Sequence, residues 1–162
     1  MSQATKSQID PLNRNNYGAI SAILTVVDVE KTYAFCQKAF GFEGRGVMQG
    51  PDGKPMHAEL KLRDSVLMLG AECPDRQGYS AKTLGNTPTT LYLLVEDVDT
   101  VASQAANAGA TLLQPPTDMF WGDRTALLVD SGGNKWMLAT HKSDPTPEQM
   151  DAAMKRQFAQ AG

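Results

Sequence analysis

Hydrophobic and polar positions run through this chain twice in the same order. AISAILTVV, residues 19 to 27, is β-branched and weakly alternating, which predicts a strand. In VEKTYAFCQKAFG, from Val29, the apolar Tyr33, Cys36 and Phe40 recur three and four apart, and Gly41 closes the run, which predicts a helix. FEGRGVMQGPDGKPMHAELKLRD reads as a hairpin turning at Pro51-Asp52-Gly53, and SVLMLG as a short buried strand. A stretch rich in Gly, Pro and Thr then reads as loop. The order begins again with TTLYLLVED as a strand ending in acid and VDTVASQAANAGA as a helix stopped by Gly109. TLLQPPTDMFW follows as strand and loop, and RTALLVDSGGNKWMLATH as a hairpin.

Each half is therefore β-α-β-β-β, and the halves superpose in register. Asp28-Val29 matches Asp97-Val98 at an offset of 69 residues, and Met68 matches Met137 at the same offset. Gly41 matches Gly109 with one residue deleted, and Asp64-Ser65 resembles Asp130-Ser131 with a Gly-Gly-Asn turn added. This is an internal duplication of about 68 residues. The chain divides into an arm (1–18), a first module (19–70), a linker (71–88), a second module (89–141) and a helical tail (142–162).

The arm is polar and rich in Asn and Gln, and is expected to be mobile or to dock on a partner. In the tail, Thr146 suits a helix cap, Pro147 its first turn, and Gln149 the capping-box position. Met150, Ala153, Met154 and Phe158 form one apolar stripe that needs cover, either from the chain's own core or from a second subunit.

Composition narrows the function. The chain has 162 residues, 41% hydrophobic and 20% charged, with a net charge of −3. That suits a globular protein with scattered basic residues, and it argues against nucleic acid as a partner. No apolar run reaches the ~20 residues of a membrane span, and the N-terminus lacks the apolar core of a signal peptide, so a cytoplasmic location is expected. Cys36 and Cys73 lack a metal-binding or disulfide spacing and read as reduced structural thiols.

Tandem β-α-β-β-β modules, with Asp-Val after the first strand and Asp130-x-x-Gly133-x-x-Trp136 near the end, resemble the vicinal oxygen chelate superfamily. This group holds glyoxalase I, extradiol dioxygenases and bleomycin-resistance proteins. MHAELKLRDSVLMLG and DMFWGDRTALLVDSGGNKWMLATH are also similar to its PhnB-like branch. The resemblance spans residues 19 to 141. It implies an α+β fold whose two modules form a curved eight-stranded mixed sheet with helices outside and a cup inside, assembled as a homodimer, here followed by a C-terminal helix. In metal-dependent members, the first and last strand of each module supply one ligand apiece, usually His or Glu. Such ligands suit a divalent ion with open positions for substrate. Counting transfers those slots to Ser21, Met68, Thr90 and Met137. Hydroxyl and thioether groups are poor ligands for Zn, Ni, Fe or Mn, so neither a metal nor another cofactor is expected at these slots.

Alternation identifies the other residues of the cup. Ala58, Leu60 and Leu62 form the apolar set of their strand and should face the helix, which turns His57, Glu59 and Lys61 inward. His57 and Glu59 are the candidate catalytic pair, as acid and base or as off-pattern metal ligands; otherwise they only hydrogen-bond on a solvated face. Tyr92 should face the cup as well. Phe120 and Trp121 precede the last hairpin and suit stacking on a planar ligand, while Arg124 suits an anion or a salt bridge to Asp123. Met48, Met56, Met68, Met119 and Met137 suit a soft pocket lining. His141, at the end of the last strand, reads as an ordinary surface residue. His57, Glu59, Tyr92, Trp121 and Arg124 are expected to border one cavity, with Met68 and Met137 on its floor and Ser21 and Thr90 alongside. Two readings follow. One is a metal-free protein that binds a small organic ligand, aromatic or amphipathic. The alternative is a lyase, isomerase or dioxygenase using His57 and Glu59, with or without a divalent metal.

Overall fold

The computed structural model of the chain describes residues 9–160. Residues 1–8 of the arm and the last two of the tail lie outside that range. The first module comprises β1 (Ala22–Val26), α1 (Val29–Phe40), β2 (Glu43–Gln49), β3 (Pro55–Leu62) and β4 (Ser65–Ala71). The second comprises β5 (Thr90–Leu94), α3 (Val98–Asn107), β6 (Thr111–Asp118), β7 (Asp123–Val129) and β8 (Lys135–His141). Between them, the stretch read as loop carries a 3₁₀ turn (Pro74–Arg76) and a single helical turn, α2 (Ala81–Leu84). That turn is too short to show a helical period in the sequence. The tail forms α4 (Pro147–Ala159).

The repeated Asp-Val explains how each helix starts. Asp28 and Asp97 are extended cap residues whose side chains accept from the backbone N–H of Lys31 and Asp99, and Val29 and Val98 behind them are buried. Gly41 ends α1 in the left-handed conformation (φ 73°), which a side chain would strain. The capping box at Thr146 forms as its spacing predicts, with the Gln149 side chain returning to the cap backbone.

The strands form two four-stranded mixed sheets of identical topology, β1-β4-β3-β2 and β5-β8-β7-β6. In each, the first strand runs parallel to the last and the others are antiparallel. The expected eight strands are thus divided four and four, and the β1 and β5 edges border one crevice of about 610 Å³. Arg63 bridges this gap by donating to the Leu94 carbonyl at 2.7 Å.

Ala58, Leu60, Leu67 and Leu69 of the first sheet, and Ala126, Leu128, Trp136 and Leu138 of the second, point to the helices and form the core. The modules are joined there. Phe40 and Trp136 lie with ring centroids 4.8 Å apart, and the Gln104 side chain donates to the carbonyls of Lys38 and Ala39 at the end of α1. Trp136 is fully buried, and its indole N–H donates to Asp130 Oδ2 at 3.0 Å. Asp130 also accepts from the backbone N–H of Gly132 and Asn134, so the Asp-x-x-Gly-x-x-Trp pattern is a turn tied to the core. Cys36 and Cys73 are free thiols, one buried and one exposed.

Among the described residues α4 fully buries no side chain, and the chain's own core gives its stripe only partial cover, at Met150 and Ala153. Phe158 is 67% and Met154 37% exposed.

Candidate functional site

Strand pairing fixes which side chains share the inner faces, those turned away from the helices. On the first sheet, Ile23, Met68 and Glu59 are direct neighbours, followed by Thr25, Gly70 and His57. His57 and Glu59 therefore stand on the face expected of them. On the second sheet, Tyr92, Met137 and Leu127 are neighbours. The same alternation brings Thr125, Asp123 and His141 to that face.

The inner face of the first module holds one polar group. His57 Nε2 lies 3.8 Å from Glu59 Oε1, an ion-pair distance but not a hydrogen bond. Glu59 instead accepts from the hydroxyl of Tyr17, on the arm, at 2.7 Å, which holds the phenol's pKa above its ordinary value. Arg45 Nη1 stands 3.8 Å from the other Glu59 oxygen and donates to the Asn16 carbonyl at 3.1 Å. Arg45, Met48, His57 and Glu59 line a hollow of about 250 Å³.

The second module holds another group, centred on Asp123. This half-enclosed carboxylate accepts from the Tyr92 hydroxyl at 2.5 Å and the Trp121 indole N–H at 3.2 Å. Its other oxygen meets His141 Nδ1 at 2.9 Å. The Tyr92 bond, with the donors of His141 and Trp121, holds Asp123 below the usual carboxylate range. Asp123 in turn raises His141, aided by Asp144 at 3.1 Å from Nε2. Phe120 packs edge-on against Trp121, centroids 5.0 Å apart. His141 is therefore a structural partner of the cluster, not an ordinary surface residue. Gly122 (φ 100°) lets the chain pass, because a Cβ there would fall on the Ser143 carbonyl.

Arg124 is placed differently from expectation. It occupies the opposite face of β7, where it grips Asp99 of α3 through two bonds at 2.8 and 2.9 Å and Asp118 at 3.1 Å. Successive residues of a strand alternate sides, so Asp123 and Arg124 cannot both face the cup. Arg124 does not pair with Asp123, and its forked donors are already occupied. The single cavity expected for five residues is also divided within one chain. His57 and Glu59 share their hollow, Tyr92 borders the inter-module crevice, and Asp123 and Arg124 border a third hollow of about 460 Å³. Sequence reasoning missed Tyr17 and Arg45, and it missed the Asp123–His141 pair. The pair could have been found by counting outward from the Asp130 turn, since Val129 pairs with Lys135 and Asp123 with His141.

The sequence pattern of the Glyoxalase/Bleomycin resistance protein/Dioxygenase superfamily matches residues 18–138. The chain belongs to that superfamily. A Mycobacterium tuberculosis protein, Rv0887c, is 35% identical over 158 residues, covering 96% of this chain and 93% of that protein. Mb0911c of Mycobacterium bovis is 37% identical over 142 residues, covering 86% of this chain and 93% of its own. Among solved structures, TioX from Micromonospora sp. ML1 superposes with a TM-score of 0.60 at 25% identity, covering 76% of this chain and 99% of that one. TnmS3, an antibiotic binding protein from Streptomyces sp. CB03234, does so with 0.58 at 24% identity, covering 78% and 100%.

Members of this superfamily often use a metal, and the side chains at the transferred slots decide whether one fits here. Met68 lies beside Ile23 and Met137 beside Tyr92, while Ser21 and Thr90 fall one pleat repeat along. Two thioethers and two hydroxyls do not fit a catalytic divalent ion. The Ser21 hydroxyl oxygen is enclosed and has no hydrogen-bond partner among the described residues. Nor, among the described residues, do three His, Cys, Asp or Glu side chains stand together in a group able to hold a metal. No helix of the described residues is long and apolar enough to cross a membrane.

Proposed function

We propose that this chain binds a small organic molecule, aromatic or amphipathic, on the inner faces of its sheets, as a homodimer and without the metal of its enzymatic relatives. The observation that carries this reading is the apolar character of those faces. Ile23 is 64%, Met48 58% and Tyr92 48% exposed, beside a few oriented polar groups and the thioethers of Met68 and Met137. A lone chain leaves this ring and thioether surface in water, whereas a ligand and a second subunit would cover it. The likeness of fold to an antibiotic binding protein supports the class of ligand. A place in the PhnB-like branch and a cytoplasmic location belong to the same proposal.

Tryptophan fluorescence tests it. Trp136 is sealed in the core, so quenching by added planar aromatic compounds reports on Trp121. Saturable quenching, lost in Trp121→Phe, supports binding near Asp123. A broad panel of aromatic compounds that leaves Trp121 unchanged sinks the reading.

One feature favours the enzymatic alternative, a lyase, isomerase or dioxygenase using His57 and Glu59. Glu59 is the direct strand neighbour of Met68, a transferred ligand slot. Elemental analysis of the purified protein separates the two. A stoichiometric transition metal, lost in Glu59→Gln, would favour the alternative.

A further inference from the structure

The arm does not hang free of the first module. Tyr17 crosses 42 positions of sequence to donate its hydroxyl to Glu59 at 2.7 Å. The guanidinium carbon of Arg45 lies 5.8 Å from the centre of the Tyr17 ring, and Arg45 also holds the neighbouring Asn16 carbonyl. Little else secures this segment. Among the described residues, Asp10 bonds to Leu12, Asn13 and Arg14 and Asn13 to Asn16 and Tyr17, all within the same turn, and Ile9, Leu12 and Ile20 are exposed. The described part of the arm is thus an almost self-contained turn that presents one aromatic ring to one carboxylate.

We propose that the arm is a built-in occupant of the first module's inner face, and that this face takes a phenol or similar hydroxyaryl group in place of Tyr17. This rests on the small-molecule reading above and names a ligand class and a control for part of that site. The chemistry is specific. The Glu59 oxygen stands as the acceptor in this contact, so the position suits a group that donates; the hydroxyl of a phenol is the donor already seated there. Arg45 selects the ring, since a guanidinium is drawn to an aromatic face. A ring without a hydroxyl would cover Glu59 and leave its oxygen without that donor, which costs a desolvation penalty. The hollow of about 250 Å³ beside these residues gives an incoming ring a place to enter. Because Tyr17 is tethered to the same chain, it competes at high effective concentration, and free ligand binds only as far as the arm is undocked.

The test uses p-cresol as probe and toluene as its hydroxyl-free control, on the full chain, by titration calorimetry and NMR. Tyr17→Ala is expected to bind p-cresol at least ~10-fold more tightly than the wild type, because the competing population is removed. Tyr17→Phe, which keeps the ring and frees Glu59, should show a smaller gain and serves if the alanine variant folds poorly. Adding Glu59→Gln to either variant should abolish the gain, and toluene should show none. Equal or tighter binding by the wild type overturns the proposal, as does a gain that survives Glu59→Gln. Trp121 quenching by aromatic compounds is read separately. If it persists while Tyr17→Ala gains nothing for p-cresol, the arm proposal fails and the broader binding reading stands.

Discussion

Asp123 and His141 face each other across the last hairpin, with Oδ1 and Nδ1 2.9 Å apart, and Asp144 closes on the far side of the imidazole at 3.1 Å. The chain after β8 is held at this point, where Lys142 and Ser143 also donate to the Gly122 carbonyl. Protonated His141 therefore fastens the start of the tail to the mouth of the second module.

That pairing sets a pH window. His141 is raised above the ordinary histidine value of about 6.5. Its contribution is fully present below that ordinary value and is lost as pH rises through the higher folded value. Asp123 is lowered, so its contribution is present above the unfolded carboxylate range and lost as pH falls through the depressed folded value. The strap is firmest between the two. The chain has two histidines, so His57→Gln leaves His141 as the single imidazole to follow by NMR titration. In Asp123→Asn its pKa should fall toward the ordinary value. An unchanged titration would show that the pair does not form.

Trp136 joins the modules, and its loss should be felt by both. It is fully buried, packs on Phe40 of the first module and donates to Asp130. Trp136→Ala is expected to cost about 3–5 kcal/mol in chemical denaturation, the scale of a lost buried ring. Asp130→Ala should also destabilise, by roughly 1–3 kcal/mol, because buried donors lose their acceptor. Near-wild-type stability in either variant would contradict the joint.

Much of the fold was legible in the sequence, because it rests on local rules, although the contact of Trp136 with Phe40 was not. Asp28 and Asp97 announce helix starts, Gly41 a helix end, and Ala58 and Leu60 a buried strand face, each from its near neighbours. The tail's capping box was legible for the same reason. The candidate site was legible only by face: His57, Glu59 and Tyr92 follow from strand alternation, but Arg124 was placed on the wrong side because the loop before β7 hides where alternation begins. The contact between Tyr17 and Glu59 spans 42 positions and breaks no local rule, so no periodicity announces it.

Trp121 and Arg124 should now part company in binding experiments, although they lie three residues apart. Trp121 borders Tyr92 and Asp123 on the inner face, whereas Arg124 is engaged with Asp99 and Asp118 outside. Trp121→Ala should weaken an aromatic ligand by roughly 1–3 kcal/mol, the scale of lost ring burial. Arg124→Ala should leave affinity within about 0.5 kcal/mol and lower stability slightly, as exposed ion pairs do. A ligand that depends on Arg124 as strongly as on Trp121 would refute the face assignment.

The tail helix gives the last expectation. α4 spans 13 residues and buries none, although its cap is complete and Met150, Met154 and Phe158 line one side. Helices of about 12–15 residues are marginal in water when nothing packs against them, so capping alone leaves α4 short of stability. In the proposed homodimer a second copy of the chain would provide the missing cover. Sedimentation at micromolar concentration should therefore show a dimer. The double variant Met154→Asp with Phe158→Asp should shift it toward monomer and lose helicity by circular dichroism. The melting of the two-module body, measured at a concentration where wild type is monomeric, should stay the same, because Met154 and Phe158 are exposed and lie outside that core. A variant that remains dimeric with full helicity would show that α4 is not part of the subunit interface.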